Sequence, residues 1–423
     1  METALAMRRH SIWGLALATA LGAVTPAQAA EVNGIWSEPA TKDLGELTGD
    51  DFFENWKIRG WVEGYYVWNL NEPGEGTVNA NQGASIVKGD NVSIEGRTFD
   101  VRHSRPKMTL MEIELEKVPQ LSGWLEPAAF GFKIDFNYGE TPDIIHDSIL
   151  GGLGNDILND TDRWLQHYSI GYVAPIGRGL RFDFGKLVTH IGGETIESIK
   201  NNNFSHGYLY SYAIPFQDTG LRVNYPWTDT FYTEFYFLQG WNSTWDDNNN
   251  GKTYGPSIGW VPHPRVSTYV SYLTGPEQRN DTDNKRHLFD FGINFNPVDP
   301  LNIFVSADYG YEEDAVATTT GAKSATWMGA FTVLRYKVAD MLEPALRLEY
   351  LNDPDGFASG VSQDLFGVTL TLNYRVDLPR GAHILLRPEY RWDHSSNRFF
   401  TDGNDFRVDN QQHTVGLGAV LYY

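Results

Sequence analysis

The sequence of 423 residues contains no cysteine. That excludes a small fold stapled by disulfides, thiol catalysis and thiolate metal sites. Positive charge is also scarce: 33 Lys and Arg stand against 54 Asp and Glu, for a formal net charge of −21. Nucleic-acid binding needs a basic footprint, so no nucleic-acid partner is expected. Long apolar runs are missing as well. The apolar run 12–24 falls short of the roughly 20 residues a spanning helix requires, and mean hydropathy is −0.38. The eleven histidines include no His-x-x-x-His pair, and neither a Gly-x-Ser-x-Gly elbow nor a Gly-rich phosphate loop occurs. Ser205 and His206 are sequence neighbours, a spacing that seldom makes a nucleophile and its base. Asp246, Asn248, Asn250 and Gly251 begin a calcium-loop spacing, but Ser257 occupies the twelfth position where a bidentate Glu is needed. The sequence therefore predicts no catalytic residue, no cofactor and no metal, and the chain reads as a non-enzyme.

What is present begins at the N-terminus. Arg8 and Arg9 precede the Ala/Leu-rich run 12–24, and Pro26-Ala27-Gln28-Ala29-Ala30 follows. A basic region, a short apolar region and an Ala-x-Ala site form a secretion signal, expected over 1–29. The acidic, turn-rich stretch 30–56 is expected to be a periplasmic segment. Aromatics make up 14% of residues, with Gly at 42. From 57 to 423 the pattern becomes one of roughly ten-residue segments with alternating polarity, the signature of a membrane barrel strand. Phe130, Phe132, Ile134, Phe136 and Tyr138 alternate with Lys133, Asp135 and Asn137. Similar alternation runs through 180–184, 289–296, 301–309, 346–350, 366–375 and 384–391. Weaker segments lie at 57–69, 105–117, 164–175, 217–226, 230–240, 253–261, 264–274, 324–337 and 412–423.

Short Pro/Gly/Asn/Asp turns at 175–178, 226–229, 262–264, 296–300, 338–340 and 377–381 alternate with long polar connections. The long ones are 70–103, 139–163, 189–216, 241–252, 275–285, 311–323, 352–364 and 393–411. Short turns on one side and long loops on the other describe a closed antiparallel barrel with periplasmic turns and extracellular loops. A sandwich with Greek-key crossovers would not alternate so regularly. The predicted fold is all-β, a transmembrane antiparallel barrel of sixteen strands, with fourteen to eighteen as the range. Its last strand ends on Tyr423, an aromatic suited to an interfacial girdle.

The motifs over 192–253 carry a resemblance. They are Gly192-Gly193-Glu194-Thr195-Ile196-Glu197-Ser198-Ile199, Asn203-Phe204-Ser205, Ala213-Ile214-Pro215-Phe216, Thr219-Gly220-Leu221-Arg222, Tyr225-Pro226-Trp227-Thr228-Asp229, Gly240-Trp241-Asn242, Asp246-Asp247-Asn248-Asn249 and Lys252-Thr253. This stretch resembles the OmpL-like β-barrel porins, densely over 180–262 and more loosely over 57–423. The resemblance implies an outer-membrane barrel with pore activity and supplies no catalytic residues. Independently, sixteen to eighteen strands leave an aqueous channel where smaller barrels do not. Passive diffusion of small hydrophilic solutes is the function so implied. A non-conducting structural or adhesive barrel is the alternative, and an outer-membrane hydrolase ranks below it.

Strand phase then gives candidate pore-lining residues. Glu112, Glu114, Glu116 and Asp135 form an acidic set, and Arg335, Arg347, Arg375, Arg387 and Arg391 form a basic one. The two are expected to face each other across the lumen. By analogy with general porins, the third long loop, 189–216, is expected to fold inward as a constriction bearing Glu194, Glu197 and Lys200. A loop packed on the rim is an equal alternative. The expected partners are outer-membrane lipid and small hydrophilic solutes. A homotrimer is compatible with this reading, though no motif specifies one.

Overall fold

A computed structural model describes residues 42–44, 53, 55–73, 94–149, 163–319, 321–403 and 407–423. The expected signal 1–29 and most of the expected periplasmic segment 30–56 lie outside the described residues. Lys42–Asp43 pairs with the start of the first barrel strand.

Sixteen strands form the wall. They are β1 (Trp56–Asn69), β2 (Lys107–Lys117), β3 (Phe130–Tyr138), β4 (Leu165–Ala174), β5 (Leu180–Val188), β6 (Gln217–Pro226), β7 (Phe231–Leu238) and β8 (Thr253–His263). There follow β9 (Val266–Gly275), β10 (Arg286–Val298), β11 (Leu301–Thr318), β12 (Gly321–Tyr336), β13 (Leu342–Asp353), β14 (Gln363–Asp377), β15 (His383–Ser395) and β16 (Gln411–Tyr422). Each strand pairs antiparallel with its sequence neighbour, and β16 closes on β1 from Thr414↔Asn69 to Tyr422↔Trp61. Closure removes the unpaired edges that lipid cannot satisfy.

The period-2 pattern sorts the side chains. Along β9, Ser267, Tyr269, Ser271 and Leu273 are buried inside, whereas Val270 is 51% exposed on the outside. Ile113, Ile170, Phe235, Ile258, Phe291, Leu348, Leu370 and Leu417 continue an apolar outer belt, and the opposite phase holds most of the buried charges. This is the inverse of a soluble protein, as expected where the outer solvent is hydrocarbon.

The connections alternate as the sequence implies, with two differences: residues 118–129 join β2 to β3 on the turn side by a twelve-residue connection that includes the 3₁₀ turn Pro127–Ala129, and one long connection is absent. Residues 311–323, expected to be a loop, instead extend β11 and β12 to a tight turn, with Thr318 opposite Gly321 and a register shift between Glu312 and Val316. The run Val316-Ala317-Thr318 keeps strand propensity and supplies no early stop. Among the described residues, parts of several other long connections pack inward at the mouth. Helix α1 (Glu140–Ile149) contributes Ile144 and Ile145 to an apolar cluster. Phe99, Tyr208, Tyr210, Phe216, Trp327 and Phe400 join it. The cluster also holds Leu187, Leu238, Leu273, Leu351 and Leu365, at the loop-side ends of their strands. The largest apolar cluster thus runs inside the barrel from the mouth to Phe304, Phe331 and Val333, and a smaller one of Trp61, Ile199, Leu385, Val420 and Tyr422 lies toward the turn side.

Candidate functional site: the lumen and its inward loop

Residues 189–216 leave β5 and run through the barrel interior before returning to β6. Irregular backbone in that position needs partners for its N–H and C=O groups, and polar side chains of the wall provide them. Asp290 on β10 accepts from Gly192 N at 2.8 Å. Glu63 on β1 accepts from Ser198 N at 3.3 Å and Ile199 N at 3.2 Å, where a short 3₁₀ turn, Ser198–Lys200, presents its first amides. Glu389 on β15 accepts from Phe204 N at 2.9 Å, and Glu349 on β13 accepts from Tyr208 N at 2.6 Å. The carbonyls are met by arginines. Arg387 donates to Ser198 O at 2.5 Å and Asn201 O at 2.7 Å. Arg391 donates to His206 O at 2.7 Å, and Arg347 donates to Ser205 O at 2.5 Å. The Gly192-Gly193 pair lets this chain hug the wall. Gly192 has φ +90°, and a Cβ on Gly193 would lie 2.3 Å from the Phe304 ring.

The inward course of the loop thus puts Glu194, Glu197 and Lys200 inside the lumen. Glu194 pairs with Arg347 at 2.7 Å, and Lys200 pairs with Glu114 at 2.9 Å and Glu197 at 3.6 Å. Arg347, Arg387 and Arg391 have no exposed side-chain surface. The sequence offers them as pore-lining candidates. They are instead sandwiched between wall and loop, because their five-donor forks satisfy loop carbonyls that no backbone ladder reaches. Arg335 and Arg375 remain near the turn side, paired with Glu343 at 3.6 Å and Asp377 at 2.9 Å.

The acidic and basic strands oppose each other only in part. Closure through the β16–β1 pair puts β2 only three strands from β15. Distance in sequence therefore does not mean distance across a closed ring. Glu112, Glu114 and Glu116 on β2 are thus nearer to Arg387 and Arg391 than the sequence suggests, whereas Arg335 on β12 stays seven strands from Asp135 on β3, where Asp135 stands directly opposite Glu114 of β2.

The loop divides the lumen. On the β1–β7 side a cavity of about 150 Å³ is lined by Glu116, Asp135, Glu197 and Lys200. Arg59, Lys133, Arg181, Asp183 and Arg222 line it too, and these were not singled out from sequence although their strand phase marked them as inward. Arg222 pairs with Glu234 and with Asp183 at 3.2 Å, and Lys133 pairs with Asp135 at 3.1 Å. Behind the loop a cavity of about 20 Å³ is lined by Gly193, Glu194, Asn201, Asn294, Asn302 and Phe304.

The loop histidines are held neutral. Burial pushes His206 down to about 4, opposed by its hydrogen bond to Thr195 O and reinforced by Arg347. Its Nε2 lies 2.6 Å from that carbonyl, while Ser205 Oγ accepts from Arg347 at 3.5 Å. This is not the geometry of a nucleophile and its base. Burial, with Arg222 nearby, pushes His190 down to about 3.

Comparison with solved structures finds the same fold at low identity. OmpT of Vibrio cholerae superposes with a TM-score of 0.53 at 11% identity, covering 88% of this chain and 98% of that one. The outer membrane channel DcaP of Acinetobacter baumannii gives 0.51 at 12%, covering 87% and 97%. An anion-selective porin from Comamonas acidovorans gives 0.51 at 9%, covering 87% and 99%. No curated protein matches the sequence. The family described as "Putative beta-barrel porin-2, OmpL-like" matches residues 55–422. With the match spanning the entire sixteen-stranded wall, the chain belongs to this family of OmpL-like β-barrel porins.

Proposed function

We propose that the protein is an outer-membrane channel, not an enzyme, that passes small hydrophilic solutes by passive diffusion along the β1–β7 side of the lumen. The observation that carries this reading is the charged cavity between the wall and the inward loop, with Arg59, Lys133, Arg181 and Arg222 among its cations. Polar walls at close quarters replace part of a solute's hydration and select by charge. Family membership and the channel and porin names of the structural relatives point the same way. In this reading 1–29 directs secretion, 30–56 lies in the periplasm and the barrel sits in lipid. A homotrimer is compatible with it, and the mass of the detergent-purified barrel distinguishes one copy from three.

One observation favours the second reading, a non-conducting barrel: the apolar cluster at the mouth, which packs loop residues Phe99, Tyr208, Tyr210 and Phe400 together. Single-channel recording of the refolded protein in a planar bilayer separates the two. Stable conductance steps are expected, with a reversal potential under a salt gradient that reports the dominant charge. Barrels that insert stably and never conduct would overturn the channel and leave the structural barrel.

A further inference from the structure

Glu112 is a buried lumen carboxylate that the surrounding side chains leave unsatisfied. Its residue is 1% exposed, and neither carboxylate oxygen has a hydrogen-bond partner among the described residues. The cations nearby pair with its acidic neighbours and not with Glu112. Arg59 pairs with Glu114 and Glu116, Lys133 with Asp135, and Lys200 with Glu114 and Glu197. A second buried oxygen is also without a donor. Asn137 stands directly opposite Glu112 in the β2–β3 register, 1% exposed. Its Oδ1 is unpartnered, while its Nδ2 donates to Gln166 at 2.5 Å. Gln166 in turn donates to Glu197 at 2.5 Å, which fixes that carboxylate beside the pair. One ligand oxygen each from Glu112, Glu114 and Glu197 lies within 4.8 Å of the others. A buried carboxylate without a donor needs either a proton or a cation.

We propose that Glu112, Glu114 and Glu197 hold a calcium ion, with Asn137 Oδ1 as the neutral fourth oxygen, and that this ion ties the inward loop to β2. The donors are oxygen only, which selects a hard cation. Two oxygens sharing one Ca²⁺ at about 2.3–2.6 Å can stand up to about 5 Å apart, whereas Mg²⁺ at about 2.0–2.1 Å requires about 4 Å. Oxygens within 4.8 Å of one another, drawn from a strand and a loop, suit the flexible coordination of calcium better than the near-ideal octahedron that Mg²⁺ demands. Glu197 and Lys200 border the cavity of about 150 Å³, which provides a route of entry. No local spacing could reveal the site, because its ligands come from adjacent inward positions of one strand and from a loop far along the chain. The inference does not depend on whether the barrel conducts.

The test uses the full refolded barrel in detergent, with Ca²⁺ followed by calorimetry and Tb³⁺ by luminescence excited through tryptophan. Trp61 is the cross-strand neighbour of Glu112 and serves as the sensitiser. One saturable site per chain is expected, with calcium competing for terbium. Glu112→Gln and Glu197→Gln should each weaken binding at least tenfold while keeping the folded gel mobility. Asp246→Asn, in the Asp/Asn-rich surface loop, should leave it unchanged. Absence of saturable binding by the folded parent overturns the proposal in favour of a protonated Glu112. So does binding that both Gln variants retain, or binding that Asp246→Asn alone removes.

Discussion

Single side chains inside this barrel do the work that secondary structure does elsewhere. Arg387 donates to Asn373 Oδ1 at 2.8 Å and to two loop carbonyls, so it closes three bonds that nothing else replaces. Replacing it with Met is expected to destabilise the fold by about 3–5 kcal/mol, the range for removing one member of a buried charged network. The midpoint of urea unfolding checks this, and an unchanged midpoint would mean that the loop is held without it. His206 makes the second case. Its folded value of about 4 lies below the ordinary 6.5, chiefly through burial. Above pH 6.5 both folded and unfolded chains carry it neutral. As pH falls from 6.5 toward 4 the unfolded chain takes up a proton that the folded one resists, and stability drops by an amount of order 3 kcal/mol. His206→Gln should remove that part of the acid sensitivity, seen as a flatter dependence of unfolding midpoint on pH between 7.5 and 4.5. An identical slope in the variant would show that the acid response comes from other groups.

At the scale of elements, the strands and the inward loop obey different rules. A strand's inside and outside follow from its own alternation, so β3 and β6 fall at their expected bounds of 130–138 and 217–226. The loop's position follows from contacts with many strands. Phe204 illustrates it, because a Cβ on Gly418 of β16 would meet its ring at 2.2 Å. Glycine is required there by that close approach. Gly418→Val should lift Phe204 from the wall and cost about 1–3 kcal/mol by overpacking. Hydrogen exchange of the 198–207 amides should quicken relative to those of β16, and equal protection in parent and variant would refute the packing role.

For the whole molecule, two solvents set the architecture. Hydrocarbon outside demands the apolar belt, and along the strands closure directs charge to the interior. Val270 lies in the middle of β9 on the outer face. Val270→Arg is expected to cost about 2–4 kcal/mol, as cations do at the midplane of such barrels. Unfolding from lipid vesicles measures it. A loss no greater than that of an exposed-loop substitution would mean that this face does not meet lipid.

The sequence by itself determined the number of strands, their direction, the inward and outward faces and the alternation of turns and loops. All of these depend on residues within about ten positions of each other, where alternation and turn chemistry act. Only the tertiary structure decided what the lumen charges do. Arg347, Arg387 and Arg391 were legible as inward-facing from their phase, yet their partners lie roughly 140 to 190 residues away on the loop. Pairing across a lumen depends on ring closure, which places β16 beside β1 and brings β15 within three strands of β2. Local periodicity carries no record of that closure, and so the arginine row of the sequence became the scaffold of a loop.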